Sequence, residues 1–392
     1  MDKKKLGPAT RLMHAGRAPT RSEGLVNPAV HRGSTVLQPD MKSRIAAGKR
    51  WRDQALVYGV YGNPTHFALE DAVAEIEGGT RCQIVSSGVA ACTTALLAVL
   101  GGGDHLLMPD SVYFPTRHFC DTMLKRFGVE TNYYTPTAPE AELRAMLRPN
   151  TKAIFAESPG SHTFEVQDVP MLARIAHAHG AKLLLDNTWG LCFFAPFEHG
   201  VDFSIQALTK YAGGHSDILL GAITTNSDEN FDKLRSAALQ VGQYASPDDC
   251  WLALRGLRTL RVRLAHQWSA GLEVARWFQA QREVLRVLHP ALPEHPGHAL
   301  WRRDFSGACS LFGVVFRPEF DKQNVCDFVD GLKLFGLGAS WGGYESLVMP
   351  AETLRTATPP LGGPACRFHI GLEDVRDLIA DLEQGLRALH QK

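Results

Sequence analysis

The sequence lacks the features that mark several special classes of protein. Its 392 residues carry 41 lysines plus arginines against 41 aspartates plus glutamates, so the net charge is zero and no basic surface for nucleic acid is indicated. No apolar run approaches the roughly 18 residues that a membrane helix needs. The basic start Met1–Lys5 is not followed by the apolar segment of a secretion signal. We therefore expect a cytoplasmic protein that binds neither nucleic acid nor a membrane.

Paired cysteines are also missing, which argues against a disulfide framework and against a metal site. The eight cysteines are scattered at positions 82, 92, 120, 192, 250, 309, 326 and 366. Most of them are predicted to be small, buried, apolar side chains. Hydrophobic residues make up 45% and charged residues 21% of the chain, which is typical of a globular protein. Its length predicts more than one domain.

One stretch in the middle of the chain carries most of the chemical information. The run from Lys182 to Leu185 is typical of a buried parallel strand and ends at Asp186, where α/β sheets usually place ligand-binding residues. A second strand-like run, 202–206, leads to Thr209 and Lys210. A strand-end acid followed by such a lysine suits pyridoxal phosphate, which a lysine holds covalently while an acid pairs with its ring nitrogen. Spacing alone leaves open a chance pairing in an ordinary α/β protein.

Two segments upstream have the layout of a cofactor-binding sheet. Arg81–Val85 is strand-like and passes into Ser86-Ser-Gly-Val-Ala-Ala, a turn of small residues that opens a helix and offers backbone N–H groups to a phosphate. His105–Pro109 is another short strand and is followed by Tyr113, by default a partly buried aromatic residue. Strands that alternate with helices over residues 80–225 predict a parallel, doubly wound sheet.

The chain is predicted to have three parts. Residues 1–57 lack strong periodicity and are interpreted as an N-terminal arm. Residues 58–247 contain the alternating strands and helices and form a large cofactor-binding domain. Residues 248–392 begin with a long helical pattern and continue as a smaller C-terminal α/β domain. The arginines on that helix are interpreted as a solvated or interface face rather than an anion site.

Several motifs resemble the Cys/Met-metabolism family of pyridoxal-phosphate enzymes, which includes cystathionine β-lyases, cystathionine γ-lyases, cystathionine γ-synthases and methionine γ-lyases. The motifs are Asp186-Asn-Thr-Trp, Thr209-Lys210-Tyr-x-Gly-Gly-His-Ser-Asp and Ser-Gly-Val-Ala-Ala from Ser87. The resemblance extends at least from Tyr58 to Asp374. Phrases that begin at Glu157, Arg255, Ser340 and His369 are similar to the bacterial cystathionine β-lyase branch. In particular, Trp341 stands where the γ-lyases and γ-synthases more often have leucine.

The resemblance implies a fold type I, transferase-like α/β architecture, pyridoxal phosphate as the cofactor, and a homotetramer in which the arm contacts a neighbouring subunit. It implies that Lys210 binds the cofactor and acts as the general base, that Asp186 keeps the ring nitrogen protonated, and that Tyr113 stacks on the ring. Arg367 is expected to hold the substrate α-carboxylate with a bidentate geometry that lysine cannot copy. The expected cofactor-binding residues are Tyr58, Gly88, Val89, Tyr113, Asp186, Thr209 and Lys210, and the expected substrate-binding residues are Ser340, Trp341 and Arg367.

The activity that this resemblance implies is a carbon–sulfur β-elimination in methionine biosynthesis. Its expected substrate is an amino-acid thioether, with L-cystathionine giving homocysteine, pyruvate and ammonia. The alternatives are a γ-lyase or γ-synthase, a β-lyase for another cysteine thioether, and a protein that keeps the cofactor fold only as a binding module or regulator.

Two positions depart from the family pattern. Tyr58-Gly-Val60 lacks the arginine of a Tyr-x-Arg motif through which a neighbouring subunit contacts the phosphate, a charge-assisted contact worth roughly 1.5–3 kcal/mol. Arg50 or Arg52 is the candidate replacement. Ala339 stands in place of a tyrosine near the substrate mouth. Both departures concern the substrate preference more than the class of reaction.

Overall fold

The computed structural model describes residues 6–18, 22 and 24–390, and within them two β-sheets are joined by one long helix. The strands of the first sheet are β1 Arg81–Val85, β2 His105–Pro109, β3 Glu130–Tyr134, β4 Thr151–Glu157, β5 Lys182–Asp186, β6 Phe203–Ala207 and β7 Gly221–Thr225. Their order is β1-β7-β6-β5-β4-β2-β3. Only β7 runs antiparallel to its neighbours, so the predicted mostly parallel sheet is confirmed.

The α-helices of the described chain lie around the two sheets. They are α1 Pro8–His14, α2 Met41–Lys49, α3 Pro64–Glu77, α4 Gly88–Val99, α5 Phe114–Phe119, α6 Glu140–Ala145, α7 Val169–Ala178, α8 Asp228–Gln240, α9 Pro247–Gln279, α10 His298–Asp304, α11 Lys322–Gly331 and α12 Val375–Leu386. Helices α3 and α7 pack in one hydrophobic core and α4 in another, with the sheet between them. The strands are therefore buried on both faces, which explains the continuous apolar run in β5.

Helix α3 shows how local sequence sets these elements. Asn63 caps its N-terminus by accepting a hydrogen bond from the Thr65 N–H at 3.0 Å, and Pro64 occupies the first helical turn, where its missing N–H costs nothing. Gly78 ends the helix with φ 75°, a left-handed conformation that glycine adopts without steric cost. The helix then leads directly into β1.

The second sheet is smaller and mainly antiparallel. Its strands are β8 Val284–Leu288, β9 Leu311–Phe316, β10 Gly336–Leu337, β11 Leu347–Pro350 and β12 Ala365–His369, in the order β10-β11-β12-β9-β8. Only β10 and β11 pair in parallel. Phe312, Phe328 and Phe368 form the centre of a separate core that also includes residues of α9 and α12.

Helix α9 is 33 residues long and contributes residues to the hydrophobic cores beside both sheets. A Cβ on Gly256 would lie 2.3 Å from the Ala212 carbonyl oxygen, and one on Gly271 would lie 2.9 Å from Ser310 Cα, so both glycines permit close backbone approach. The prediction that its arginines form a solvated or interface face is wrong for Arg263. That side chain is buried, and its Nη2 donates a hydrogen bond to the Gly256 carbonyl oxygen at 2.8 Å.

The segment from residue 24 to residue 57 lies on the surface, and α2 has no buried residue. All eight cysteines are free and six are buried, which confirms the prediction that most are buried thiols. No helix in the described ranges is long and apolar enough to cross a bilayer. The boundaries after residues 57 and 247 stay predictions. Residues 1–5, 19–21 and 23 of the predicted arm, and 391–392 of the predicted C-terminal domain, lie outside the described residues.

Candidate active site

A cavity of about 180 Å³ opens where the carboxyl ends of β4 and β5 meet the second sheet. Most residues that the sequence assigns to the site line it. They are Gly88, Val89, Tyr113, Asp186, Thr209, Lys210, Trp341 and Arg367. The cavity therefore combines strand ends of the first sheet and the start of a helix with Trp341 and Arg367, which follow Lys210 by more than a hundred positions in the chain.

Asp186 lies at the end of β5 as a partly buried carboxylate whose Oδ2 receives only a weak hydrogen bond from a thiol. Its Oδ1 accepts hydrogen bonds from the Thr188 N–H at 3.0 Å and the Thr188 hydroxyl at 2.6 Å, whereas Cys92 Sγ lies 3.7 Å from Oδ2. Burial raises the pKa of this carboxyl group, and none of the described cationic side chains forms an ion pair with it. A cationic ring N–H fits this position, because it would pair with the carboxylate and offset the cost of burial.

The amine of Lys210 points towards the segment that connects β10 to β11 in the second sheet. Its Nζ donates a hydrogen bond to Ser340 Oγ at 2.8 Å and lies 5.2 Å from the centre of the Trp341 ring. Burial, together with the nearby charge of Arg367, lowers the pKa of Lys210 to about 8. A sizeable fraction of the amine is then neutral near neutral pH, as a nucleophile or base must be. Gly342 packs against the lysine backbone, where its Cβ would lie 2.8 Å from the Lys210 carbonyl carbon.

The start of α4 forms one end of the cavity. Ser87 caps the helix by accepting a hydrogen bond from the Ala90 N–H at 3.1 Å, and Gly88 begins it. A Cβ on Gly88 would lie 2.6 Å from Ala207 Cβ, so glycine is required for the helix to approach β6 so closely. The first N–H groups of a 12-residue helix and the Thr209 hydroxyl thus offer neutral donors to a phosphate. Among the described residues at this end, none carries a positive charge.

Arg367 lies in β12 and is 9% exposed. Its Nη2 donates hydrogen bonds to the carbonyl oxygens of Ala339 at 3.0 Å and Ser340 at 3.1 Å, which orients the guanidinium towards the cavity that it lines. Burial lowers its pKa to about 10, so the group stays charged at neutral pH. An oriented guanidinium with free donors is suited to bind a substrate carboxylate in a bidentate manner.

Glu157 is a site residue that the sequence assignment missed. It ends β4 directly beside Asp186 in the parallel register, and its Oε2 accepts a hydrogen bond from the Tyr113 N–H at 2.7 Å. Burial, together with the neighbouring Asp186 charge, raises the pKa of this carboxyl group well above its usual value. Glu157 thus anchors the turn that carries Tyr113. Its place at the end of a strand next to Asp186 is the signal that could have identified it.

Glu77, on α3, is a second buried acid behind the cavity. It accepts hydrogen bonds from Ser204, from Asn187 Nδ2 at 3.2 Å and from Gln206 Nε2 at 2.9 Å. Burial raises its pKa to about 7. Since Asn187 follows Asp186 directly, this network holds the turn after β5. Nothing in the local sequence of α3 indicates this role, because the partners of Glu77 come from β6 and from the turn after β5.

Tyr58 is the one predicted cofactor-binding residue that lies away from the cavity in the single chain. It is 49% exposed and forms an isolated bridge with Thr35 on the surface. Arg52, proposed as a replacement for the missing arginine, is paired with Asp232 at 2.6 Å, and Arg50 ends α2. Neither arginine lines the cavity of its own chain.

Comparison with known proteins agrees with this geometry. Residues 9–387 match the model of the family described as Cys/Met metabolism PLP-dependent enzymes. The chain belongs to this family. It is therefore an enzyme that uses pyridoxal phosphate, and the residues around Asp186, Lys210 and the start of α4 fit that group.

The enzyme is similar over nearly its whole length to several proteins named cystathionine beta-lyase, and also to proteins named for other activities. A putative cystathionine beta-lyase of Rhizobium johnstonii is 46% identical over 97% of this chain and 96% of the relative. The cystathionine beta-lyase MetC of Escherichia coli is 39% identical over 96% and 97%. An L-alanine/L-glutamate racemase of Wolbachia pipientis is 36% identical over 96% of each chain. The solved structure of metB from Corynebacterium glutamicum is 31% identical with a TM-score of 0.91 and full coverage of both chains, which confirms the fold type I architecture.

Proposed function

We propose that this enzyme is a carbon–sulfur β-lyase that cleaves L-cystathionine to homocysteine, pyruvate and ammonia. The observation that carries the proposal is the placement of the Lys210 amine, hydrogen-bonded to Ser340 and beside the Trp341 ring, in the cavity that Asp186 and Arg367 also line. The relatives named cystathionine beta-lyases, 38–46% identical, support the same reaction.

Each side chain of the cavity then has a separate task. Bound pyridoxal phosphate supplies an electron sink that stabilises negative charge at the substrate Cα. Asp186 keeps a proton on the ring nitrogen, and its burial makes that pairing strong. Arg367 holds the α-carboxylate, so that the Cα–H bond faces Lys210. The neutral Lys210 amine accepts the Cα proton and can pass a proton to the sulfur as the Cβ–S bond breaks. Water completes the reaction by releasing pyruvate and ammonia.

Neutral groups hold the remaining parts of the cofactor in this proposal. Gly88, Val89 and Thr209 donate to the phosphate, and Tyr113 packs on the ring. Tyr58 contacts the phosphate bound by a neighbouring copy of the chain, because it does not reach the cavity of its own chain. Exposed apolar side chains along the arm, such as Leu37 and Met41, support burial against another copy in a homotetramer. The free cysteines support a reducing, cytoplasmic location.

The test is to supply purified enzyme with pyridoxal phosphate and L-cystathionine and to identify the keto acid. Pyruvate with homocysteine is expected, and Lys210→Ala should abolish both while leaving the protein folded. α-Ketobutyrate with cysteine would instead assign the enzyme to the γ-lyases. Interconversion of L- and D-alanine without release of any keto acid would favour the activity of the racemase relative.

A further inference from the structure

His162 lines the cavity and is not accounted for by the roles above. Its Nδ1 is buried and has no hydrogen-bond partner among the described residues. Buried polar atoms in folded proteins are nearly always hydrogen-bonded, because an unpaired one loses its contacts with water without compensation. An unpaired nitrogen in a ligand cavity therefore indicates a position where a ligand atom completes the hydrogen bond.

The backbone holds this imidazole in place. His162 has φ 60° and Phe164 φ 54°, both in the left-handed region that side chains larger than glycine rarely adopt. The loop is tied to the neighbouring strand end by a hydrogen bond from the Ser161 N–H to the Ser111 carbonyl at 2.9 Å. Gly160 packs so closely that its Cβ would lie 2.3 Å from Ser111 Oγ. Such a conformation persists only where the surroundings determine it, and it is common at ligand sites.

His162 also separates the main cavity from a smaller one. The smaller cavity, about 20 Å³, is lined by the same loop together with Ser111 and the segment that contains Glu352 and Leu354. Ser111 Oγ and Thr163 Oγ1 are likewise buried without a partner among the described residues. The volume is sufficient for one water-sized polar group. Three residues that line the smaller cavity thus each have an unpaired buried polar atom.

The charge at this position favours an anion. Burial, together with the charge of Arg367, lowers the pKa of His162 to about 4, so the imidazole is neutral at physiological pH. Burial is the larger cause of the lowered pKa, and the charge that adds to it, that of Arg367, is positive and attracts a carboxylate. The Arg367 guanidinium is assigned to the α-carboxylate of the cysteine half of the substrate, where the reaction takes place. A carboxylate at His162 must therefore belong to the other half.

We propose that His162 donates a hydrogen bond from Nδ1 to the carboxylate of the leaving homocysteine half and thereby selects thioethers that carry a second acidic end. Ser111 and Thr163 line the smaller cavity, where one oxygen atom of this carboxylate, about the size of a water molecule, can contact their hydroxyl groups. The inference rests on the proposed function, since it assumes that the substrate is an S-substituted cysteine.

Two cystathionine analogues of matched length separate the groups of the leaving half. S-(3-carboxypropyl)-L-cysteine keeps the distal carboxylate and lacks the amine, whereas S-(3-aminopropyl)-L-cysteine keeps the amine and lacks the carboxylate. In the holoenzyme, His162→Ala should lower the ratio of kcat/KM for the first analogue over the second roughly fivefold, the equivalent of one hydrogen bond. His162→Asn should restore part of the ratio, because asparagine donates a hydrogen bond and tolerates the left-handed conformation. His266→Asn, on the exposed face of α9, is the matched control.

Equal losses for both analogues, or an unchanged ratio in His162→Ala, would overturn the proposal and leave His162 with a structural role only. Because the ratio compares two substrates of one preparation, loss of folded enzyme does not affect it. The same comparison by calorimetry in a Lys210→Ala background measures binding without turnover. If the wild type releases no pyruvate from any thioether, the proposed function fails, and the calorimetric ratio still decides whether His162 recognises the carboxylate.

Discussion

Ser340→Ala removes one hydroxyl group and tests whether the Lys210 amine depends on it. The side-chain contact is the 2.8 Å hydrogen bond from Lys210 Nζ to Ser340 Oγ, whereas Arg367 is bound by the Ser340 backbone carbonyl, which alanine retains. The substitution therefore changes the lysine and preserves the orientation of the arginine. A hydrogen bond of this kind contributes about 1 kcal/mol when the amine is neutral and roughly 1.5–3 kcal/mol when it is charged.

The difference between the charged and the neutral form of Lys210 sets the direction in which its pKa changes. The hydroxyl oxygen stabilises the ammonium form more than the amine, so its loss lowers the pKa of Lys210 below its value of about 8 in the wild type. The neutral amine then predominates at lower pH in the variant. We expect kcat to fall about fivefold because the base is less well positioned, while KM changes little because Arg367 keeps its contacts.

The assay that isolates the amine is the rate at which apoenzyme takes up pyridoxal phosphate as a function of pH. In the wild type the rate should rise with pH through a midpoint near 8, and in Ser340→Ala this midpoint should shift to lower pH. Ser340→Thr keeps the hydroxyl and should behave as the wild type does. An unchanged midpoint together with an unchanged kcat in Ser340→Ala would refute the reasoning.

Three further substitutions test other parts of the structure. Val60→Arg should tighten binding of pyridoxal phosphate by roughly 1.5–3 kcal/mol, measured by equilibrium titration of apoenzyme, if this position reaches a neighbouring phosphate end that lacks positive charge; unchanged affinity would contradict that placement. Arg367→Lys should lower kcat/KM for cystathionine roughly 30-fold, about 2 kcal/mol, because lysine cannot bind a carboxylate through two parallel hydrogen bonds, and a loss below threefold would remove Arg367 from substrate binding. Asp110→Asn should destabilise the fold by about 3–5 kcal/mol in urea unfolding, since it removes the buried carboxylate 3.0 Å from the buried Arg117 guanidinium and leaves that charge only its longer, 3.8 Å ion pair with Asp121. Burial alone would raise the pKa of Asp110, but hydrogen bonds from Thr356 and Arg117 lower it to about 2, so its stabilisation should persist above pH 4 and be lost as the pH falls through 2; a pH-independent difference between wild type and variant over that range would contradict this.

The first sheet was largely predictable because its signals are local. The apolar run before Asp186 is buried on both faces in β5, and the small-residue turn before Ala90 is the start of α4. Periodicity and turn chemistry depend on neighbours along the chain, so these elements, and the lysine after β6, could be identified before the fold was known. The predominance of antiparallel pairing in the second sheet was not predicted, since strand direction depends on partners far along the chain.

What the sequence determined by itself is therefore the chemistry available: a strand-end acid, a lysine beside small residues, and a match to one family. The tertiary structure alone decided which groups act together. Strand order placed Glu157 beside Asp186, and the packing of the loop that contains Gly342 on Lys210 brought Ser340 to the amine. A role for His162 can be inferred only from its burial in the fold, which leaves its Nδ1 unpaired. Such properties arise from contacts between distant segments, which no local pattern encodes.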